Sequence, residues 1–84
     1  MPMSARTWKA WKKYGDALVA TCREAEAAPD LSELDRAAMK IVTDRLEEYY
    51  VKMLEAREVP SEEERDAFGE ETCRRVCYLR EGVC

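Results

Sequence analysis

The chain is 84 residues long, 46% hydrophobic and 38% charged, with a formal net charge of −4. Leu, Val, Ile and Phe together number 14, about 17% of the chain, a fraction typical of weak cores. These values exclude a large self-contained core and a membrane protein, while the mixed charge argues against disorder. We expect one small helical domain, residues 1–84, that is marginally stable alone or self-associates.

Charge is distributed unevenly along the chain. Residues 1–15 contain four bases and no acid, whereas residues 16–84 carry a net charge of −8. The basic, amphipathic N-terminus resembles a mitochondrial targeting segment in composition, and the alternative is a lysine-rich surface helix. It lacks the apolar stretch of a secretory signal, so a mitochondrial location is a candidate and classical secretion is not expected.

The first predicted helix spans about residues 5–28, after a frayed tail at residues 1–3. Ser4 is a suitable N-cap, and Pro29 ends the helix because the residue before a proline avoids helical geometry. Gly15 in this helix either permits the close approach of a neighbouring helix or marks a kink. Steps of three and four residues predict one packing face, made of Trp8, Trp11, Gly15, Leu18, Cys22 and Ala25.

The second predicted helix spans about residues 31–58, between breaks at Pro29 and Pro60. Asp30 or Ser32 caps it, since each is followed three residues later by an acid. Its predicted apolar stripe is Leu34, Ala38, Ile41, Leu46, Tyr49, Met53 and Ala56. Tyr50 and Leu54 lie beside that stripe and widen it. Because the helix is more than twice the average length, we expect part of this wide arc to be left for a partner.

The third predicted helix spans about residues 62–81. Ser61 caps it, and three acids, Glu62–Glu64, occupy the positive end of its dipole. Gly82 suits the position after the helix, and residues 82–84 are expected to be flexible. The predicted inner stripe is Phe68, Thr72, Val76 and Leu79. Three helices with two short connections predict an all-α fold, either an antiparallel bundle or a long helical hairpin with an added third helix.

Four cysteines carry the most distinctive chemistry: Cys22, Cys73, Cys77 and Cys84. In an up-down-up bundle Cys22 lies at the height of Cys73 and Cys77, which permits a disulfide to either, with Cys84 free to reach the remaining thiol. Reduced cysteines are one alternative. A four-thiolate metal site is another, but the spacing C-x3-C-x6-C matches no common ligand pattern, so we expect no metal and no cofactor. The Cys73/Cys77 pair resembles one C-x3-C pair of the small helical proteins of the mitochondrial intermembrane space.

Aromatic and basic residues alternate in the first helix. Because Trp and Tyr are enriched at interface hot spots, the candidate partner-binding residues are Trp8, Trp11, Tyr14, Tyr50 and Leu54. The candidate basic patch is Arg6, Lys9, Lys12 and Lys13. Membrane-surface contact through this helix is a second interpretation, and simple core packing is a third. The acidic remainder of the chain disfavours nucleic acid.

The chain has no histidine, no glycine-rich phosphate loop and no nucleophile placed beside a base, so an enzyme is not expected. The sequence predicts a non-enzymatic helical protein-interaction protein, a small accessory or scaffolding subunit that binds other subunits or itself. The first alternative is a small acidic regulator or inhibitor that binds a basic site on a target protein, with Glu62–Glu64 in the contact. The second alternative is a four-cysteine metal-binding module.

Overall fold

The computed structural model describes residues 2–82, and this part of the chain folds into three helices. They are α1 (Ala5–Glu26), α2 (Glu33–Ala56) and α3 (Glu62–Glu81). The described residues contain no strand, and one isolated antiparallel bridge joins Pro2 to Glu58. The predicted all-α class and the predicted number of helices are confirmed.

A serine begins each helix. The side chains of Ser4, Ser32 and Ser61 accept hydrogen bonds from the backbone N–H three residues on, which satisfies a donor that the first turn leaves unpaired. Ser32, not Asp30, is therefore the cap of α2. The cap at Ser61 is reinforced because its hydroxyl also donates to the Glu64 carboxylate, at 3.2 Å.

Helices α1 and α2 end slightly earlier than predicted, and each still ends before the proline that follows it. Helix α1 ends at Glu26 and α2 at Ala56, two residues short of the predicted ends. After α2, Arg57 adopts a left-handed conformation with φ of 54° and donates its N–H to the Met53 carbonyl. Gly82 performs the same role after α3, with φ of 78°. A left-handed residue at this position is a common helix terminator.

Helix α2 lies between the other two helices. It contacts both α1 and α3, whereas within residues 2–82 those two helices do not contact each other. The Cα trace extends 41 × 28 × 14 Å, so the molecule is flattened. It forms a flattened layer, in which α1 and α2 are a hairpin and α3 packs on α2 without contacting α1.

The core of this layer is small. Among the described apolar side chains only Ala38, Tyr50 and Met53 are buried, together with the polar Thr43 and Arg45. The predicted stripe of α2 is right for Ala38 and Met53 and wrong for Leu34 and Ala56, which are exposed. It is also wrong for the pair of tyrosines, since Tyr50 is buried and Tyr49 is half-buried. The reason is that α2 packs on two sides, so no single stripe describes its contacts.

Arginine side chains of α2 bond to the turn after α1 and to α3. At the turn after α1, the Arg36 guanidinium donates to the backbone carbonyls of Glu26 and Ala28. Between α2 and α3, Arg45 donates to Thr72 Oγ1 at 3.2 Å and to the Glu71 carboxylate at 3.4 Å. The Arg45 guanidinium carbon also lies 3.7 Å from the centre of the Phe68 ring. This sequence has few large aliphatic residues. The two arginines therefore make contacts between the helices where hydrophobic side chains would usually pack.

Candidate protein interface

Trp8 belongs to the internal packing of α1 against α2. Its indole Nε1 donates to the Leu54 carbonyl at 2.9 Å, and the Arg57 guanidinium carbon lies 4.7 Å from its ring centre. Next to it, the N–H of Met3 donates to the Arg57 carbonyl at 2.8 Å. The predicted frayed tail is therefore held down at Met3. Trp8 and Leu54 were both predicted to bind a partner, but in this fold they contact each other.

Trp11 and Tyr14 are the exposed members of a ring cluster built around Tyr50. The ring of Tyr50 lies 6.1 Å from that of Trp11 and 6.1 Å from that of Tyr14, and these two lie 5.7 Å apart. Trp11 is 36% exposed and Tyr14 is 54% exposed, whereas Tyr50 is 9% exposed. Burial raises the pKa of Tyr50, and its neighbour Tyr14 raises it further. Tyr50 is thus the desolvated inner member of the cluster, and Trp11 and Tyr14 face the solvent.

Gly15 allows these rings to come together. A Cβ atom at Gly15 would lie 3.0 Å from Cγ and Cδ1 of Tyr50, tighter than nine in ten real Cβ contacts. The Tyr50 ring therefore sits directly against the backbone of α1, which brings it between the side chains of Trp11 and Tyr14. Of the two predicted roles for Gly15, close approach of a neighbouring helix is the one that the structure bears out.

One side of α1 carries no charge at all. At 3.6 residues per turn, its eight charged side chains fall within an arc of roughly 160°, and the remaining 200° or so carry none. The ring cluster lies on the uncharged side. Leu18 follows Tyr14 by four residues on that side, and Leu46 and Val42 precede Tyr50 by four and eight residues on α2. We call this surface the aromatic strip and define it as Trp11, Tyr14, Leu18, Val42, Leu46 and Tyr50.

The basic patch points away from the aromatic strip. Arg6, Lys9, Lys12 and Lys13 are all exposed, and they occupy the charged arc of α1. Lys12 is also paired with Asp16, at 3.1 Å. A membrane-surface or nucleic-acid contact through α1 would use the rings and the lysines together. The fold separates these two features onto opposite sides of the helix.

The opposite broad face of the layer is covered by ion pairs. Asp44 bonds Arg23 at 2.7 Å, which joins α1 to α2, and bonds Lys40 at 2.8 Å within α2. The hydrogen bonds from Lys40 and Arg23 hold the pKa of the Asp44 carboxyl below its usual value. On the same helix Lys52 bonds Glu48 at 3.0 Å. These ion pairs distinguish this face from the aromatic strip, although Val51, seven residues after Asp44 on the same side of α2, is exposed there too.

The structure does not bring Cys22 to the cysteines of α3, so one of the predicted disulfides is wrong. Cys22 lies on α1, half-buried, and Cys73 lies exposed on α3, and both are free thiols. Because α2 separates the two helices, no disulfide can join Cys22 to Cys73 or Cys77 in this fold. Cys77 is not a free thiol. Cys84 lies outside the described residues. Within residues 2–82 no group of three or more potential ligands is placed to hold a metal ion.

A groove opens where α2 turns into α3. Its apolar lining is Tyr49, Met53, Ala56, Val59, Pro60 and Phe68. Glu58, Glu64 and Lys52 lie at its rim and leave it open to solvent. No helix in the described residues is long and apolar enough to cross a membrane.

Comparison with known protein families, with curated proteins and with solved structures finds no match to this chain. The inference about function therefore rests on the surface of the molecule.

Leu18, Val42 and Leu46 are the members of the aromatic strip that the sequence-based prediction of a partner surface omitted. A signal for Leu18 was present in the sequence, because all charges of α1 fall on one side of the helix and Leu18 lies on the other. Val42 and Leu46 could not be added in this way, since their alignment with α1 depends on the contact between Tyr50 and Gly15.

Proposed function

We propose that this chain is a non-enzymatic protein-interaction protein, a small accessory or scaffolding subunit that adds one layer of helices to an assembly. The observation that carries the proposal is the aromatic strip. In a chain that is 38% charged, the uncharged side of α1 exposes Trp11 and Tyr14, and α2 exposes Val42 on the side that spacing assigns to the strip.

The thinness of the molecule supports the same proposal. Stable domains usually bury the apolar faces of their helices between two layers. Here α2 is covered on its two flanks by α1 and α3, and nothing within the described residues covers the aromatic strip. A partner surface laid on the strip would supply the missing second layer.

The chemistry of the strip fits a hot spot of a protein interface. Trp and Tyr are enriched at such positions because they bury a large area at a low cost in side-chain entropy. Tyr50 is immobilised beneath Trp11 and Tyr14 by its contact with Gly15, which keeps the exposed rings in place before a partner binds. This pre-organisation reduces the ordering cost of binding.

The acidic regulator hypothesis has less support. The first turn of α3 does expose Glu62, Glu63 and Glu64. However, acids at this position stabilise the helix dipole, and Glu64 also completes the cap with Ser61. A structural role therefore accounts for these residues without a basic target.

The proposal can be tested by placing a photo-crosslinking amino acid at position 14 in the full chain and irradiating the native cell. Tyr78 is the matched control site, since it is an exposed tyrosine on α3 that lies outside the aromatic strip. We expect a discrete protein adduct, identified by mass spectrometry, from position 14 and not from position 78. Equal adduct yields from both sites, or none from position 14, would overturn the proposal.

A further inference from the structure

We propose that the partner on the aromatic strip is a second copy of this chain, packed face to face in a two-fold, antiparallel arrangement. This inference rests on the proposed function, because it names the occupant of the same surface. The result is a two-layer, six-helix dimer in which α1 of one copy lies along α1 of the other.

The first reason is the self-complementarity of an uncharged surface. In a two-fold interface each patch faces a copy of itself, so a patch of one sign would oppose like charges. The aromatic strip has no charge to oppose. Apart from Arg6 and Glu24 at its edge, the charged side of α1 remains in solvent when the strip is covered, as do the ion pairs around Asp44 and Glu48.

The second reason is area. The broad face of the layer measures 41 × 28 Å, or about 1,100 Å². A stable interface of ordinary size buries about 800 Å² on each partner. This value covers the whole broad face, α3 included, so a dimer of ordinary size would cover the aromatic strip together with much of the face around it.

The third reason is the shape of the strip along α1. Ala10 precedes Tyr14 by four residues and Ala17 follows it by three, and both alanines are exposed on the uncharged side of the helix. Small residues beside a large one form recesses next to a projection. In an antiparallel pair, Tyr14 of one copy fits over Ala17 of the other, as large and small residues alternate across packed layers.

The fourth reason fixes the direction of the two copies. Arg6 and Glu24 are both exposed, and among the described residues neither takes part in an ion pair. They are eighteen residues, or about five helical turns, apart, so they lie on the same edge of α1. Antiparallel copies place Arg6 of one beside Glu24 of the other, with Tyr14 near the two-fold axis. Parallel copies would place like charges together.

Sedimentation velocity over a concentration series tests the proposal with the full-length chain. We expect the wild-type protein to be a dimer. The substitution Tyr14→Lys should weaken the dimer by at least about 30-fold, the scale of a hot-spot residue, with no change in helical circular dichroism. Tyr78→Lys makes the same change at an equally accessible tyrosine on α3 and should leave the dimer intact.

A charge swap tests the antiparallel arrangement without altering the aromatic strip. Arg6→Glu and Glu24→Arg, each alone, should weaken the dimer about two- to five-fold, since exposed ion pairs contribute little. The double variant should recover wild-type affinity. If the double variant loses affinity by the product of the two single-variant losses, the antiparallel arrangement is overturned.

Failure of this proposal can be told apart from failure of the proposed function. A wild-type chain that sediments as a monomer up to its solubility limit would overturn self-association. If the photo-crosslinker at position 14 still yields a different protein and the one at position 78 does not, the protein-interaction function stands. A dimer that is equally sensitive to Tyr14→Lys and Tyr78→Lys would overturn the assignment of the aromatic strip as the interface.

Discussion

Gly15 determines how closely α1 approaches α2, and therefore whether the aromatic strip exists. Its missing side chain leaves room for the ring of Tyr50, which in turn holds Trp11 and Tyr14. A glycine inside a helix lowers helix propensity by up to about 1 kcal/mol relative to alanine. The tertiary contact must offset that loss here.

Replacement of Gly15 by alanine is expected to destabilise the fold by about 1–2 kcal/mol, because the steric conflict with Tyr50 outweighs the gain in helix propensity. The control is Gly69→Ala in α3, where a Cβ atom meets nothing within 4 Å. That variant should be more stable than wild type by about 0.5–1 kcal/mol. Urea unfolding measures both values. Stabilisation by both substitutions would contradict the close packing of α1 on Tyr50.

Arg45 is the residue that joins α3 to the rest of the molecule. Its side chain is almost fully buried, stacked on Phe68 and bonded to Thr72, Glu48 and Glu71. Sequence reasoning did not identify it, because an arginine in a helix is normally solvated. Only the position of α3 reveals that Arg45 lies between two helices.

Removal of this side chain by Arg45→Ala should cost about 2 kcal/mol, because a buried cation, its stacking contact and its hydrogen bonds are lost together. The full penalty of a broken buried pair is not expected, since both glutamates reach solvent. Arg45→Lys should recover little of the loss, because an ammonium group neither stacks nor bonds as a planar fork. Arg23→Ala, at an exposed ion-pair site, should have a much smaller effect on the urea midpoint. Equal losses for Arg23 and Arg45 would show that burial is irrelevant to the role of Arg45.

At the scale of the elements, ion pairs on α2 and α3 make the fold sensitive to acid. The pKa of Asp44 is lowered chiefly by Lys40, that of Glu48 by Lys52 and that of Glu71 by Arg75. A carboxyl whose pKa is lower in the folded than in the unfolded state binds fewer protons when folded. Its stabilising effect is present above the unfolded pKa and is lost as the pH falls through the folded pKa.

Stability should therefore be nearly constant from pH 7 to about pH 5 and fall below about pH 4.5, near the ordinary values of 3.8 for Asp and 4.5 for Glu. The urea midpoint at each pH measures this. The decline should shrink in high salt, because these pairs are exposed. Asp44→Asn should be less stable than wild type at pH 7 and lose less on acidification. An unchanged pH profile for this variant would contradict the role of Asp44.

At the scale of the whole molecule, the decisive feature is a flattened arrangement of three helices with a small core. The low content of large aliphatic residues predicts a weak core, and the structure buries only three apolar side chains among the described residues. A chain of this size has little stability to spare. A second layer over the aromatic strip would bury Trp11 and Tyr14 and complete the core, which is why self-association is the expected state.

Much of the fold follows from local chemistry in the sequence. The caps at Ser4 and Ser61, the breaks at Pro29 and Pro60 and the terminator Gly82 depend on neighbouring residues only, and all were predicted correctly. The choice between Asp30 and Ser32 was not decided, because both offer a side-chain oxygen in front of an acid. Trp11 and Tyr14, which the sequence predicts to bind a partner, are exposed, and their role at an interface is a proposal.

The sequence by itself therefore determined the helices, their approximate ends and the unequal sides of α1, since these depend on periodicity, capping and propensity. Only the tertiary structure decided which side of α2 each neighbour covers. That choice buried Tyr50 in place of Tyr49, turned Trp8 and Leu54 into internal contacts and kept Cys22 away from α3. The physical reason is that a helix with apolar residues on more than one side can pack in several ways. The contact of Tyr50 with Gly15 and the burial of Arg45 select the one observed.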